Sequence, residues 1–225
     1  MSTFKELTYM VLDELKLFSD DATITEEHII FLLSKYRAFL LKQRYSDIKK
    51  SIPDSNYQEI CLTMEESPGE PGSPCECTSY YMKSLETIPP IMASGNTMVY
   101  SNVSFFGEID YIPKERFKYV GYNKYLINTV YATKATNDYL YLKSGTNTVS
   151  NITSVKMRAM FQDAVTASEL VCSKECDILD REFPIEQALI PPLIEFVIKE
   201  LTRVVYSPED RINNADDDLS KVQTK

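Results

Sequence analysis

The chain has 225 residues, a length that suits one medium-sized domain or two small ones and allows a substantial buried core. Its apolar fraction of 44% and charged fraction of 25% are typical of a globular protein. A formal charge of −9 argues against a protein that binds the phosphate backbone of nucleic acids, because such proteins concentrate positive charge. The 15 tyrosines and 10 phenylalanines favour strands and hydrated interfaces.

The amino-terminal residues show no basic region followed by an apolar run, so we expect no signal peptide. The longest uncharged stretch, residues 87–107, contains prolines, a glycine and asparagines, and we therefore do not expect it to span a membrane. Both observations predict a chain that is cytosolic when it is made.

Two helices are predicted within residues 1–52, where they would form an αα-hairpin. Thr3 and Glu6 have the spacing of a capping box, and Thr25 is the expected N-cap of the second helix. The apolar stripe of the second helix is predicted to comprise Ile29, Ile30, Leu33, Tyr36, Phe39 and Leu40. The same helix carries cations that either complement its dipole or form a basic contact surface: Lys35, Arg37, Lys42, Arg44, Lys49 and Lys50.

Residues 53–182 are predicted to form an inserted β-rich domain. A stretch rich in proline and glycine at 65–74 cannot hold regular structure. Alternating or tyrosine-rich runs predict strands at 57–64, 97–102, 104–110, 128–133, 139–143 and 154–161. A hairpin turn is predicted at 135–138, and one helical turn from Pro113 through Lys118. Short strands at this spacing predict an antiparallel sandwich or barrel.

The chain returns to helix near its end. A helix is predicted at 191–206, where Pro191 can open it and Pro208 stops it, and a polar tail follows at 207–225. Because none of the three helices could bury its stripe alone, we expect residues 183–206 to complete a helical bundle with the amino-terminal hairpin. The predicted fold class is therefore α+β, a helical bundle with an inserted β-sandwich or barrel domain.

Few residues are candidates for catalysis. His28 is the one histidine in the sequence, and we expect it to be structural. Neither a Ser-His-Asp nor a Cys-His arrangement can be built without it, and the glycines do not have the spacing of a phosphate-binding loop. A hydrolase that uses two carboxylates stays open, because its acids need not be close in sequence. We expect no enzyme, no catalytic residue and no cofactor.

Five cysteines, an odd number, argue against a secreted disulfide framework. We therefore expect unpaired thiols. The alternative is a zinc site with four thiolate ligands, although neither cysteine pair has the strong C-x-x-C spacing. Its ligands would be Cys75, Cys77, Cys172 and Cys176.

Three stretches of the chain resemble a known family. Residues 25–47, which begin Thr-Glu-Glu-His-Ile-Ile, and residues 183–201, which begin Phe-Pro-Ile-Glu-Gln and continue to 218, resemble the ring (head-to-tail connector) proteins of crAss-like bacteriophages. Residues 112–121 are similar as well. The resemblance covers both helical ends and part of the β-rich block, but neither the proline- and glycine-rich loop nor the pair Cys75 and Cys77.

The resemblance implies a virion protein at the tail or portal vertex, made in the cytoplasm of the host bacterium. Such proteins bind below the portal protein, form a ring that is usually dodecameric, extend the DNA channel and support further tail ring proteins. Genomic DNA would pass through without sequence-specific binding, and no membrane would be involved. The alternatives are an accessory tail or assembly factor absent from the mature portal complex, and a carboxylate hydrolase acting on cell-wall glycans.

Residues 209–219 are the expected docking segment for the portal or a neighbouring subunit. This segment is polar, follows the last helix and lies within the resemblance, and a tail that becomes ordered on docking is a common way to hold a partner. The aspartates at 216–218 lack the alternate spacing of a calcium loop, which favours a solvated acidic tail, or one that docks on a basic partner, over metal binding. The candidate docking residues are Glu209, Asp210, Arg211, Asp216, Asp217 and Asp218.

Overall fold

The computed structural model describes residues 2–16, 24–45, 51–67, 81–92, 97–102, 107–172 and 177–204. Within these residues the chain is a mixed α+β fold of five α-helices and seven strands. The helices are α1 (Phe4–Lys16), α2 (Glu26–Arg44), α3 (Lys114–Phe117), α4 (Ala164–Glu169) and α5 (Ile190–Val204). The strands are β1 (Gln58–Glu66), β2 (Tyr81–Thr87), β3 (Met98–Ser101), β4 (Glu108–Tyr111), β5 (Tyr131–Lys134), β6 (Tyr139–Lys143) and β7 (Ser154–Ala159).

The strands close into a barrel in the order β1-β2-β6-β5-β4-β3-β7, so every described strand pairs on both sides. The expectation of a purely antiparallel sheet is wrong at one pair, because β4 and β5 run parallel. A hairpin cannot join parallel neighbours. The connection from β4 to β5 therefore passes through α3 and a long loop, which return the chain to the end of the barrel where β4 started.

The barrel interior follows from the alternation of its strands. In β7, Val155, Met157 and Ala159 are buried, whereas Lys156 and Arg158 face outward. This confirms the predicted alternation from Val155 to Ala159, but its predicted continuation to 161 is wrong, because the strand ends at Ala159 and Met160 is buried. The outer face of β6 is covered as well, because Phe117 of α3 packs in a second cluster with Tyr141. A strand buried on both faces explains the nearly continuous apolar run at 139–143.

Strand β2 was not predicted from the sequence. Its inner face includes Ser84, which is fully buried, and its pairing with β6 shifts register along the strand. The Ser84 hydroxyl donates to the Glu86 carbonyl at 2.7 Å and accepts from the Leu140 N–H at 3.0 Å. A buried serine at this irregularity interrupts the alternation on which sequence-based prediction of strands depends.

Helices α1, α2 and α5 bury their apolar faces in one shared core, which includes Leu7, Leu33 and Leu193. The predicted capping box is confirmed: the Thr3 N–H donates to Glu6 Oε2 and the Glu6 N–H to Thr3 Oγ1, both at 3.1 Å. No described helix is both long and apolar enough to cross a membrane.

Arg37 of α2 is fully buried where the helices meet the barrel. Its Nε donates to the Pro184 carbonyl at 2.6 Å, Nη1 to the Phe161 carbonyl at 2.8 Å and Nη2 to the Asn56 carbonyl at 3.1 Å. Burial lowers the pKa of Arg37 to about 9, and the Asp163 carboxylate opposes that shift. The guanidinium therefore stays charged at neutral pH and fastens helix to barrel.

The predicted faces of α2 are wrong in two respects. Arg37 lies in the core, whereas Phe39, assigned to the apolar stripe, has 53% of its surface exposed. Arg44 does not offer a free charge either, because its Nε lies 2.7 Å from Glu186 Oε1. Arg37 lies on the same helical face as Leu33 and Leu40, and the carbonyl acceptors of distant segments allow a charged residue to be buried there. The lysines at 49 and 50 lie outside the described residues.

Cys61 of β1 and Cys172, which follows α4, form a disulfide with a Cα–Cα distance of 5.0 Å. The expectation of unpaired thiols is wrong for these two residues, and the four-thiolate zinc site is wrong because Cys172 is already bonded. The 111-residue separation of the pair left no pattern that sequence reasoning could use. Cys75, Cys77 and Cys176 lie outside the described residues. Within the described ranges, no group of three or more His, Cys, Asp or Glu residues could hold a metal ion.

The Arg37 contacts predict a large and specific loss of stability. An Arg37→Met variant leaves three buried carbonyls without their donor, so the free energy of unfolding should fall by about 3–5 kcal/mol in urea denaturation. Arg44→Met is the matched control, because Arg44 is 45% exposed and its ion pair should contribute under about 1 kcal/mol. Equal losses in the two variants would contradict the junction role of Arg37.

The disulfide predicts a loss that depends on redox conditions. Cys61→Ser/Cys172→Ser should lower the free energy of unfolding by about 2–4 kcal/mol, because the crosslink closes a long loop in the unfolded chain. Reductant should destabilise the unmodified protein by the same amount and leave the double variant unchanged. Peptide mapping without reductant should recover residues 61 and 172 linked; their recovery as separate peptides would show that the bond does not form.

Candidate interaction surfaces

Residues 118–127, between α3 and β5, form a surface loop that we call the aromatic loop. Tyr119, Tyr122 and Tyr125 have 64%, 84% and 82% of their surface exposed, and Leu126 has 45%. Clustered exposed apolar side chains on a soluble protein mark interaction sites. Tyrosine suits such sites because it combines a large apolar ring with a polar hydroxyl.

Local hydrogen bonds hold the aromatic loop in successive turns. The Tyr122 N–H donates to the Tyr119 carbonyl at 3.3 Å, and the Leu126 N–H donates to the Asn123 carbonyl at 3.1 Å. The Asn123 side chain also accepts from the Tyr125 N–H at 3.0 Å. The tyrosines are therefore presented on an ordered backbone, which lowers the entropy lost when they bind.

A contact between two glycines fixes the aromatic loop to the barrel. Gly121 has φ +92°, a conformation that favours glycine, and a Cβ there would lie 2.9 Å from the Cα of Gly145. A Cβ on Gly145 would lie 2.6 Å from the side chain of Ile127. The Gly145 N–H donates to the Ile127 carbonyl at 2.9 Å.

The aromatic loop lies at the end of the barrel that is distant from the helices. Gln58 at the start of β1 pairs with Ala159 at the end of β7, and the Arg37 contacts lie just beyond these two residues. Ile127, by contrast, is bonded to the residues that follow the end of β6. The strand pairing places that end of β6 at the other end of the barrel. A strand of five to six residues spans about 17–20 Å, so the two ends are well separated.

The second surface is a groove of about 740 Å³ beside α2, which we call the α2 groove. Phe31, at its edge, has 62% of its surface exposed. The apolar lining comprises Ile30, Phe31, Ala38, Val165, Ile178 and Leu179. The charged residues at the groove are Glu26, Glu27, Asp163, Asp177 and Lys35. Apolar grooves are one of the recurring surfaces on which an element of a protein partner docks.

The start of α4 forms one wall of the α2 groove. The Ser34 hydroxyl of α2 accepts from the Ala164 N–H at 3.1 Å and donates to Asp163 Oδ1 at 3.3 Å. Asp163 is also the N-cap of α4, because its Oδ1 accepts from the Val165 N–H at 3.0 Å. These bonds hold α4 against α2, so the groove is preformed in the isolated chain.

The sequence-based site residues fall elsewhere. The docking candidates at 209–211 and 216–218 lie outside the described residues. His28 is exposed in the first turn of α2, and its backbone N–H donates to the N-cap Thr25 at 3.4 Å. Sequence reasoning missed both surfaces. The clustered tyrosines at 119–125 were a usable signal for the first, whereas the groove depends on α4, which was not predicted.

Two comparisons with known proteins each match this chain over nearly its whole length, and both matches are to phage ring proteins. A family model described as phage tail ring protein 2 matches residues 6–219. Ring protein 2 of Bacteroides phage crAss001 is 54% identical to the chain over 221 residues, which cover 96% of this chain and 98% of that protein. The matched region includes the aromatic loop and the α2 groove, together with the chain beyond α5 as far as residue 219.

The glycine contact predicts that the aromatic loop is sensitive to a single methyl group. Gly145→Ala should lower the free energy of unfolding by about 1–3 kcal/mol, because the new Cβ overlaps both Ile127 and Gly121. It should also increase proteolytic cleavage within 118–127. Gly107→Ala is the control: a Cβ at Gly107 meets no atom within 4 Å, so only backbone strain is added. A Gly145→Ala loop as resistant to protease as the unmodified loop would contradict this account.

Proposed function

The chain belongs to the phage tail ring protein 2 family, and we propose that it forms a head-to-tail connector ring below the portal protein. The observation that carries this proposal is the 54% identity to a ring protein over almost the full length of both chains. At that identity and coverage, the two chains share the same complete fold rather than one common module.

The shape of the chain supports assembly into a ring. A closed ring of identical subunits is built from heterologous contacts, in which one patch of each copy meets a different patch of the next. The aromatic loop and the α2 groove are two such patches, and they lie at different ends of one rigidly joined body. We propose a dodecamer, matched to the portal, that extends the DNA channel and supports further ring proteins.

The acidic character of the chain suits a channel component. With a net charge of −9 per copy, a ring would present many carboxylates, and DNA could move past the carboxylates that face the lumen without being held. We propose a structural role and no catalysis, in line with the ring protein names of the family and the relative.

We propose that the chain is divided into a helical bundle, an inserted β-rich domain and a docking tail. Residues 1–52 and 183–206 would act as one helical bundle, with residues 53–182 inserted as the β-rich domain and 207–225 as a docking tail. The shared core of α1, α2 and α5 supports the first part. The family match through residue 219 supports a role for the segment that contains Glu209, Asp210, Arg211 and the aspartates at 216–218.

The proposal predicts a complex between this chain and the portal protein of the same phage. Native mass spectrometry of the mixture should show about one copy of the chain for each portal subunit. If no complex forms but the chain is present in purified particles, it belongs to a more distal ring. Absence from purified particles would overturn the ring function and favour an assembly factor.

Removing residues 207–225 should abolish attachment to the portal and leave the unfolding midpoint unchanged, because the deletion keeps every described residue of the shared core. Removing residues 220–225 is the matched control, since the family match ends at 219. Attachment should survive this shorter deletion. Unaffected attachment of the longer deletion would refute the docking tail.

A further inference from the structure

We propose that the aromatic loop of one copy docks in the α2 groove of the next copy, and that this repeated contact closes the ring. The inference rests on the proposed ring function and deepens it, because it names the two surfaces that meet and the residues that align them. The occupant of the groove is a second copy of this chain.

The positions of the two surfaces require the contact to be intermolecular. The aromatic loop lies at the barrel end that follows β6, whereas the α2 groove lies beyond the opposite end, beside the start of α4. A chain fastened at Arg37 cannot fold its own loop into its own groove. Two unlike patches at different ends of one body make a head-to-tail contact, which closes on itself when the rotation per copy fits the ring.

The two surfaces carry opposite charge. The aromatic loop contains two basic side chains, Lys118 and Lys124, and no acidic side chain, a local charge of +2 in a chain whose total is −9. The groove has four carboxylates and one lysine, a local charge of −3. Lys124 stands beside the exposed ring of Tyr125, with its Nζ 4.8 Å from the ring centroid. A basic, aromatic protrusion therefore meets an acidic, apolar groove, which fixes both the partner and the register.

The size of the groove suits the side chains of the aromatic loop, and both surfaces are preorganised for docking. A volume of about 740 Å³ lies within the range of about 300–1,000 Å³ found for sites that enclose small ligands, and leaves room for the rings of Tyr122 and Tyr125. The loop is held by the glycine contact and the groove by Ser34. Because both surfaces are already ordered, docking costs little conformational entropy, and a small interface is sufficient for binding. Closure of the ring then strengthens all the contacts together.

Zero-length crosslinking of purified phage particles with a carbodiimide tests the contact directly. Lys118 or Lys124 should become bonded to Glu26, Glu27 or Asp177. Such a bond requires the amine and the carboxylate to touch, and the two surfaces of one chain are too far apart for that. Crosslinks from both lysines only to another protein, or only to other carboxylates of this chain, would overturn the proposal. So would the absence of crosslinks from both lysines in particles where other lysines of the chain react.

A pair of charge-reversal variants tests whether the occupant of the α2 groove is a second copy of this chain or another molecule. Lys124→Glu in the phage should reduce incorporation of the chain into particles by about tenfold, the loss typical of one important interface residue. Adding Glu27→Lys to the same chain should restore incorporation, because every copy then carries both reversed charges. If Glu27→Lys gives no recovery, the groove is not the partner of the loop.

Two further variants complete the test. Tyr122→Ser/Tyr125→Ser should lower incorporation by at least about tenfold, and the purified variant should unfold at the same temperature as the unmodified chain, since both rings are exposed. Tyr9→Ser, at an exposed tyrosine of α1 outside both surfaces, should have no effect. If the chain is in particles but the loop variants incorporate normally, only this contact is wrong; if the unmodified chain is missing from particles, the ring function itself fails.

Discussion

The buried guanidinium of Arg37 is the interaction on which the rest of the structure depends. Its three carbonyl partners belong to the segment before β1, the segment after β7 and the segment before α5. At the first two segments the chain passes between the helices and the barrel, and the third leads into α5. A buried charge is tolerated only when its donors are satisfied, so the three segments must converge on one point with little freedom. The two parts of the molecule are thereby joined at a fixed angle.

A fixed angle matters for any protein that closes a ring. Each subunit passes the orientation of one contact to the next, and an error in that orientation is repeated at every copy. A hinge between the helices and the barrel would allow many angles between neighbouring subunits, so that open assemblies would form beside closed rings. The closed barrel, the Arg37 junction and the Ser34 bonds to α4 all reduce that freedom. The same features build the α2 groove and set its distance from the aromatic loop.

The sequence predicted those elements whose signals are local. The capping box at Thr3, the alternation of β7, the hairpin turn before β6 and the helix that begins near Pro191 each depend on neighbouring residues alone. Features that depend on partners far along the chain were missed or wrong: the burial of Arg37, the Cys61–Cys172 bond and the register shift in β2. The resemblance to a family supplied an expectation about function that local signals could not give. It could not indicate which surfaces of the chain are exposed.

Composition alone did not locate the candidate surfaces. The excess of tyrosine favoured strands and hydrated interfaces, and the net charge of −9 argued against binding to the phosphate backbone of nucleic acids. The same net charge makes copies of the chain repel one another. Opposite local charge at two contacting faces lowers the repulsion between copies of like net charge. The +2 of the aromatic loop and the −3 of the α2 groove supply that local attraction in the proposed arrangement. An average over 225 residues hides this pattern, because it becomes visible only once the fold has separated the basic loop from the acidic groove.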